Sequence, residues 1–335
     1  MSSLLNCSRC EVCSSAVSIY SSMSFVHLSL VFRLVIGPIC IVSILLLTIA
    51  IFQTKTLHFN ARLLLLCMTT SMIVGNIALR NVYIVGGLGF TISTLFLATE
   101  RTIATVTYIT YEKHGRRCIG TMLATIQILA CILLYVSIEP SQQLYPYVAP
   151  DILNSQRSKI FGNVLYGMNM VALSIFAILY FINKHRKKSL TDSHLRVLST
   201  RFQLRENIAT TRLMTPVMLL VTLLMSSSQL VYYSYLPDLN QETVITQDVL
   251  VEIVNFAPFS EYQISLMPVT TLMLVFLLPY FHLHIKRSFV RVSRLRRCFP
   301  ERFTSVDTVT VDQARDIYFH KLNGQWHENA FQRKV

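Results

Sequence analysis

The sequence predicts an all-α membrane protein, a seven-transmembrane helix bundle with its N-terminus outside and its C-terminus inside. Three observations predict it. Hydrophobic residues make up 53% of the 335 residues and charged residues only 14%, against roughly 25% charged in an average soluble protein. Apolar runs recur along the chain at lengths that approach the roughly 20 residues a helix needs to cross a bilayer core of about 30 Å. The formal charge of +13 lies in the connections and the tail between those runs, which points to an anionic inner leaflet and cytoplasmic partners rather than to nucleic acid.

Taken in order, the first span covers Leu34 to Phe52 with Arg33 just before it, and the second Leu63 to Leu79, ended by Arg80. The third runs from about Val82 to Ile109, and only a tight turn at Arg80 and Asn81 separates it from the second. Ile119 to Ile138 is a fourth span without a charge, Phe161 to Ile182 a fifth and Leu213 to Leu236 a sixth. The seventh covers Ile264 to Phe281, with a more polar outer turn that begins near Glu252. Residues 1–27 form an extracellular N-terminus, 28–284 the bundle and 285–335 a cytoplasmic tail on this reading.

Orientation follows from the placement of Lys and Arg in short connections. One side carries Lys55, Arg62, Lys113, Arg116, Arg117 and the basic run from Lys184 to Arg212; the other has Arg9, Arg33, Arg80, Arg157 and Lys159. The base-poor side also carries Glu139, Asp151, Asp238, Glu242, Asp248 and Glu252. Asn6-Cys7-Ser8, on that outer side, is an N-glycosylation sequon at Asn6. Residues 1–20 lack the basic start and long apolar core of a signal peptide, so no cleavage is expected.

The eight cysteines do not form a metal pattern. Cys7, Cys10 and Cys13 crowd the N-terminus without the second group of Cys or His that a tetrahedral site requires, and whether they form disulfides stays open. Cys40, Cys67 and Cys131 read as small buried residues inside spans. After span seven, Phe289, Val292, Leu295, Cys298 and Phe299 recur at helical spacing among arginines. That pattern predicts an amphipathic juxtamembrane helix, with Cys298 as a palmitoylation candidate; a plain stop-transfer cluster explains the charge but not the spacing. Pro38, Pro216, Pro268 and Pro279 fall inside spans, as packing bends or as switch points.

Charge inside a span is the sharpest functional signal, because it is costly at membrane depth. Glu100 and Arg101 sit side by side near the inner end of span three, either as an interfacial anchor or as a switch. Catalytic and nucleotide-binding motifs are lacking, so no enzyme, cofactor or metal is expected. On the outer side Tyr83, Tyr232, Tyr233, Tyr235, Glu252, Glu261 and Tyr262 could bind an amphiphile, and the competing reading of each Tyr is an interfacial aromatic belt.

Glu100-Arg101 at the inner end of span three and an amphipathic segment after span seven resemble a G-protein-coupled receptor. Phe59-Asn60 after His58, then Glu100-Arg101-Thr102-Ile103-Ala104-Thr105 followed by Tyr111-Glu112-Lys113, resemble the nematode serpentine chemoreceptors of the Sra superfamily. The stretch from Leu198 to Asn207 and the tail segment Tyr318 to Trp326 are similar to class e of that group. The resemblance implies a small-molecule ligand, a heterotrimeric G protein and the plasma membrane of a chemosensory neuron. It also implies that Glu100, Arg101, Tyr111 and Glu112, with Arg201, Gln203, Arg205, Glu206 and Asn207, make the coupling surface and switch. Two rhodopsin-like marks are missing: Val82 to Thr94 and Glu139 to Lys159 contain no cysteine for a disulfide, and Leu278-Pro279-Tyr280 is only a loose echo of Asn-Pro-x-x-Tyr. A seven-span ligand-gated channel or transporter is the alternative; an insect-type channel would place its N-terminus inside.

Overall fold

The computed structural model describes residues 14–19, 24–54, 57–77, 80–107, 117–137, 155–192, 198–237 and 246–293. Of these, 80–82, 117, 155, 157, 186–192, 198–206 and 232 are described by their backbone alone. Eight numbered helices follow a short helical stretch over 14–19. They are α1 (Ser24–Gln53), α2 (Phe59–Gly75), α3 (Arg80–Val106), α4 (Arg117–Ser137), α5 (Ser155–Asp192), α6 (Leu198–Tyr235), α7 (Gln247–Phe281) and α8 (Leu283–Val292). No strand occurs among the described residues. Helices satisfy every backbone donor and acceptor within one segment, which is what a bilayer core demands of a spanning element.

Among the described residues six helices are long and apolar enough to cross a membrane, and α2 is a further apolar helix of 17 residues. The predicted second span therefore shifts: it starts at Phe59 rather than Leu63 and stops at Gly75, not Leu79. Asn76 stops it, because its side-chain amide turns back to donate to the Met72 carbonyl at 2.7 Å. In the other direction four helices overrun the expected spans: α1 starts at Ser24, α5 runs from Ser155 to Asp192, α6 starts at Leu198 and α7 at Gln247. The polar outer turn expected on span seven is thus helical, with Thr246 as its N-cap, an arrangement that satisfies an otherwise orphaned amide.

The helices alternate in direction, and α1 packs on both α2 and α7 so that the ring closes. Helix α3 touches α2, α4, α5 and α6, and its spanning window is 56% buried, more than that of any other candidate span. It is the central post of the bundle. Its first half approaches α2 through glycine: a Cβ added at Gly86 would lie 2.4 Å from the Gly75 backbone. Small residues at such crossings let membrane helices associate by close van der Waals contact.

Two apolar clusters fill the interior. The larger runs from Ile44 and Leu47 on α1 through Leu64 and Met68 on α2 to Met214 on α6, Leu278 on α7 and Ile285 on α8. A smaller one at the opposite end joins Ile19, Val26, Leu236, Ile253 and Phe256. Outside, Leu34, Leu133, Phe181, Leu230 and Phe276 are largely exposed. Such a belt would aggregate in water and is at rest only against lipid.

The amphipathic helix is present as α8, packed on α1 and α7 with Ile285 buried and Phe289 against the main core, while Lys286 and Arg291 are exposed. The expected continuation to Cys298 and Phe299 lies outside the described residues. His282 makes the corner. Its extended backbone ends α7, and its Nδ1 accepts the Ile285 amide at 3.3 Å to cap α8. Burial, with a smaller contribution from the neighbouring His284 charge, pushes the His282 imidazole down to about 4. Pro38, Pro216, Pro268 and Pro279 sit inside continuous helices, joined by Pro258 in the polar extension of α7.

Candidate functional site

At the α8 end of the bundle, the last turns of α3 bury both charges of the predicted pair: Glu100 is 0% exposed and Arg101 1%. Neighbouring residues on a helix do not face each other, yet here both side chains are long enough to close a fork. Arg101 Nε donates to Glu100 Oε2 at 2.5 Å and Nη2 to Oε1 at 2.7 Å. The remaining arm of the guanidinium reaches across to α6, where Nη1 donates to Asn207 Oδ1 at 3.0 Å. Asn207 is anchored in turn, since its carbonyl accepts from Thr211 Oγ1 at 2.6 Å. Thr211 Oγ1 also accepts from Asn183 Nδ2 of α5 at 3.3 Å.

The result is a buried polar chain through α3, α6 and α5. An ion pair in such a place is weak evidence for stability, because two desolvated charges gain little over a well-packed apolar pair. Breaking it by removing one partner is costly, about 3–5 kcal/mol. A network of this kind holds one helix arrangement and penalises any other in which its members are left unpaired.

A second ionic cluster lies between α1 and α7 toward the opposite end. Arg33 Nη2 pairs with Glu261 Oε2, Ser29 Oγ donates to the same carboxylate oxygen at 3.0 Å, and Ser265 Oγ lies 2.9 Å from Ser29 Oγ. Glu261 is fully buried. Nearby, Tyr83 donates to the Gln263 carbonyl at 3.2 Å, and the Tyr262 hydroxyl lies 2.9 Å from Ser227 Oγ. Tyr235 stacks on Phe259 with ring centroids 3.6 Å apart, while Tyr233 and Glu252 point outward. Of the outer candidates, the structure thus brings Tyr83, Glu261 and Tyr262 into the bundle and leaves Tyr233, Tyr235 and Glu252 on its exposed side. The side chain of Tyr232 lies outside the described residues.

A family model described as serpentine type 7TM GPCR receptor class ab chemoreceptor matches residues 75–275, more than half of the chain. The chain belongs to that receptor family. The match begins where α2 ends and takes in both ends of the buried α3–α6 chain. The chain is also similar to serpentine receptor class alpha/beta-14 of Caenorhabditis elegans, with 26% identity over 181 residues, 52% of this chain. That alignment spans only 44% of the relative's own length. Both comparisons name class ab; class e, suggested by the motifs at Leu198 to Asn207 and Tyr318 to Trp326, finds no support in them.

In this serpentine receptor, Asn207 is the one member of the predicted loop motif whose side chain is described, and it is the one that meets Arg101. Arg201, Gln203, Arg205 and Glu206 lie on the first turns of α6, with side chains outside the described residues. Tyr111, Glu112, Asn6 and Cys298, like Cys7, Cys10 and Cys13, also fall outside them. Sequence reasoning missed Asn183, Thr211 and the partnership of Arg33 with Glu261. Asn183 and Thr211 are isolated polar residues near the inner ends of two apolar runs. Their depth, level with Arg101 if the spans are counted from their basic ends, was the available signal.

Proposed function

We propose that this chain is a chemosensory receptor that binds a small molecule in the half of the bundle nearest its N-terminus and activates a heterotrimeric G protein at the α8 end. In this reading the α8 end faces the cytoplasm, in keeping with the basic connections there, and the protein resides in the plasma membrane of a sensory cell. The observation that carries the proposal is the buried guanidinium of Arg101, shared between Glu100 on its own helix and Asn207 on α6.

A ligand moves a helix bundle only by binding one arrangement better than another. The resting arrangement here is the one in which Arg101 spans α3 and α6. If α6 swings away, Asn207 leaves the guanidinium, and Arg101 turns toward a partner that can replace the lost acceptor. The first turns of α6, with Arg201, Gln203, Arg205 and Glu206, stand beside the opening and supply the rest of the coupling surface, together with Tyr111 and Glu112. Family membership supports the receptor assignment, and the location of the buried chain supports the place of coupling.

The test is Arg101→Ala expressed beside a heterotrimeric G protein. The expected result is loss of ligand-driven nucleotide exchange per receptor at the cell surface, with exchange normalised to surface expression because removing one partner of the buried pair also lowers stability. A full agonist response at equal expression contradicts the role of Arg101.

A further inference from the structure

Four polar residues in a row, Ser226-Ser227-Ser228-Gln229, interrupt the apolar run of α6. A helix turns about 100° per residue, so four consecutive side chains point all the way round it. Here they are divided between the two neighbouring helices. Residues three apart share a face, and the two that do so, Ser226 and Gln229, both meet α5. Ser226 Oγ lies 3.2 Å from the Tyr166 hydroxyl, and a Cβ added at Gly162 would come within 2.8 Å of Gln229 Nε2. The middle two turn to α7 instead: Ser227 Oγ lies 2.9 Å from the Tyr262 hydroxyl, and Ser228 Oγ accepts from Gln263 Nε2 at 3.0 Å.

These bonds release at little cost. Ser226 Oγ also reaches the Thr222 carbonyl at 2.8 Å, and Ser227 Oγ the Leu224 carbonyl at 2.7 Å. When α6 moves off, each of these hydroxyls keeps an acceptor on its own helix. All seven side chains involved are neutral and half-buried, so parting exposes no bare charge to hydrocarbon. The closed arrangement is also imperfect: Gln229 Oε1 is buried without a hydrogen-bond partner, a penalty that separation from its neighbours relieves. At the other end of α6 the opposite holds, because Asn207 grips a buried guanidinium and its departure takes an acceptor from a charged group.

We propose that Ser226 to Gln229 form a releasable clasp, a second conformational lock that seats the C-terminal half of α6 against α5 and α7 while the Arg101–Asn207 bond holds its N-terminal half. Tyr166 and Tyr262 are the working partners on the two sides, since each meets a serine that has a fallback on its own helix. A hydrogen bond between membrane helices is worth about threefold in an equilibrium on average. Bonds of that size bias the position of α6 without freezing it, and each one lost multiplies the parted population. Four adjacent positions on one helix thereby act together, because α6 leaves both neighbours in one movement.

That α6 is the moving helix rests on the receptor reading, so the test reads helix position separately from signalling. The full chain in lipid nanodiscs carries nitroxides attached through a keto amino acid at Leu230 and at either Val164 of α5 or Val251 of α7, all exposed positions. Distances are measured by pulsed electron resonance without ligand. Tyr166→Phe and Tyr262→Phe keep their rings and lose one hydroxyl each; each should raise the minor, longer-distance population about threefold, and the two together about tenfold. Ser234→Ala removes an exposed α6 hydroxyl that donates to the Leu230 carbonyl of its own helix at 2.9 Å, and should change nothing. Distances in the double variant that match wild type overturn the clasp, as does an equal shift in Ser234→Ala. Nucleotide exchange on a co-expressed heterotrimeric G protein is measured in parallel. Shifted distances in a chain that never drives exchange leave the clasp standing and contradict the receptor reading; unshifted distances in a chain that does drive it do the reverse.

Discussion

Two charge pairs carry opposite lessons at the scale of single residues. Arg101 and Glu100 are adjacent in sequence, so their pairing was legible as soon as span three was drawn. Arg33 and Glu261 are 228 positions apart, and each looked like a separate outer charge until the ring of helices closed. The physics of the second pair is testable by a double-mutant cycle. Glu261→Gln or Arg33→Met alone leaves the other side chain's charge without its opposite charge, with a cost of about 3–5 kcal/mol, whereas Arg33→Met combined with Glu261→Met should lie close to wild type. Thermal midpoints in detergent check this: two low singles and a recovered double are expected, and additive losses contradict a direct pair.

The element scale is governed by where helices touch and where they stop. Gly86 and Gly75 face each other at the α2–α3 crossing, but they are not equivalent. A methyl at Gly86 meets the Gly75 backbone at 2.4 Å, which cannot yield; a methyl at Gly75 meets chiefly the flexible Met267 Cε at 2.3 Å and the Met267 Cγ at 3.4 Å. Overpacking of an unyielding contact costs about 1–3 kcal/mol or more. Gly86→Ala should therefore lower the thermal midpoint of the detergent-solubilised chain by several degrees, with Gly75→Ala the milder of the two; the reverse order would contradict the crossing geometry.

The corner at His282 has a pH signature. Burial makes this imidazole harder to protonate in the docked state, at about 4, than in a solvated one, near 6.5. Acid therefore favours the undocked state: the docking of α8 is fully supported above about pH 6.5 and weakens as pH falls toward 4. Protonation also converts the Nδ1 acceptor into a donor and removes the cap on α8. A fluorescent reporter on exposed Lys286 should report release of α8 over that window in wild type and not in His282→Asn, which keeps a capping acceptor but does not titrate.

For the molecule as a whole, the apolar runs carried most of the fold. Each of the seven spans read from hydropathy corresponds to a helix, because a run of that composition has no other stable state in lipid. What the runs could not give was the end of α2, where one asparagine side chain folds back on its own helix, or the polar helical extensions of α5, α6 and α7 beyond their apolar stretches. The site was legible in part. A charge pair in a span declares itself, but Asn183 and Thr211 are ordinary polar residues until three-dimensional packing aligns them.

Topology is a whole-molecule prediction as well. Epitope tags in intact cells should be accessible at the N-terminus and protected at the C-terminus, as the positive-inside bias requires; the opposite pattern would move the basic connections to the wrong face and favour a channel.

The central claim is that the bond between Arg101 and Asn207 holds the resting state. A hydrogen bond to a charged group contributes about 1.5–3 kcal/mol, so its loss should shift the resting equilibrium by roughly tenfold or more. The most direct measurement is ligand-free guanine-nucleotide exchange on a co-expressed heterotrimeric G protein, comparing Asn207→Ala with wild type at matched surface expression. The account predicts a basal rate raised several-fold in Asn207→Ala and abolished again when Arg101→Ala is added. A basal rate in Asn207→Ala equal to or below wild type, in a receptor that reaches the surface normally, would contradict it.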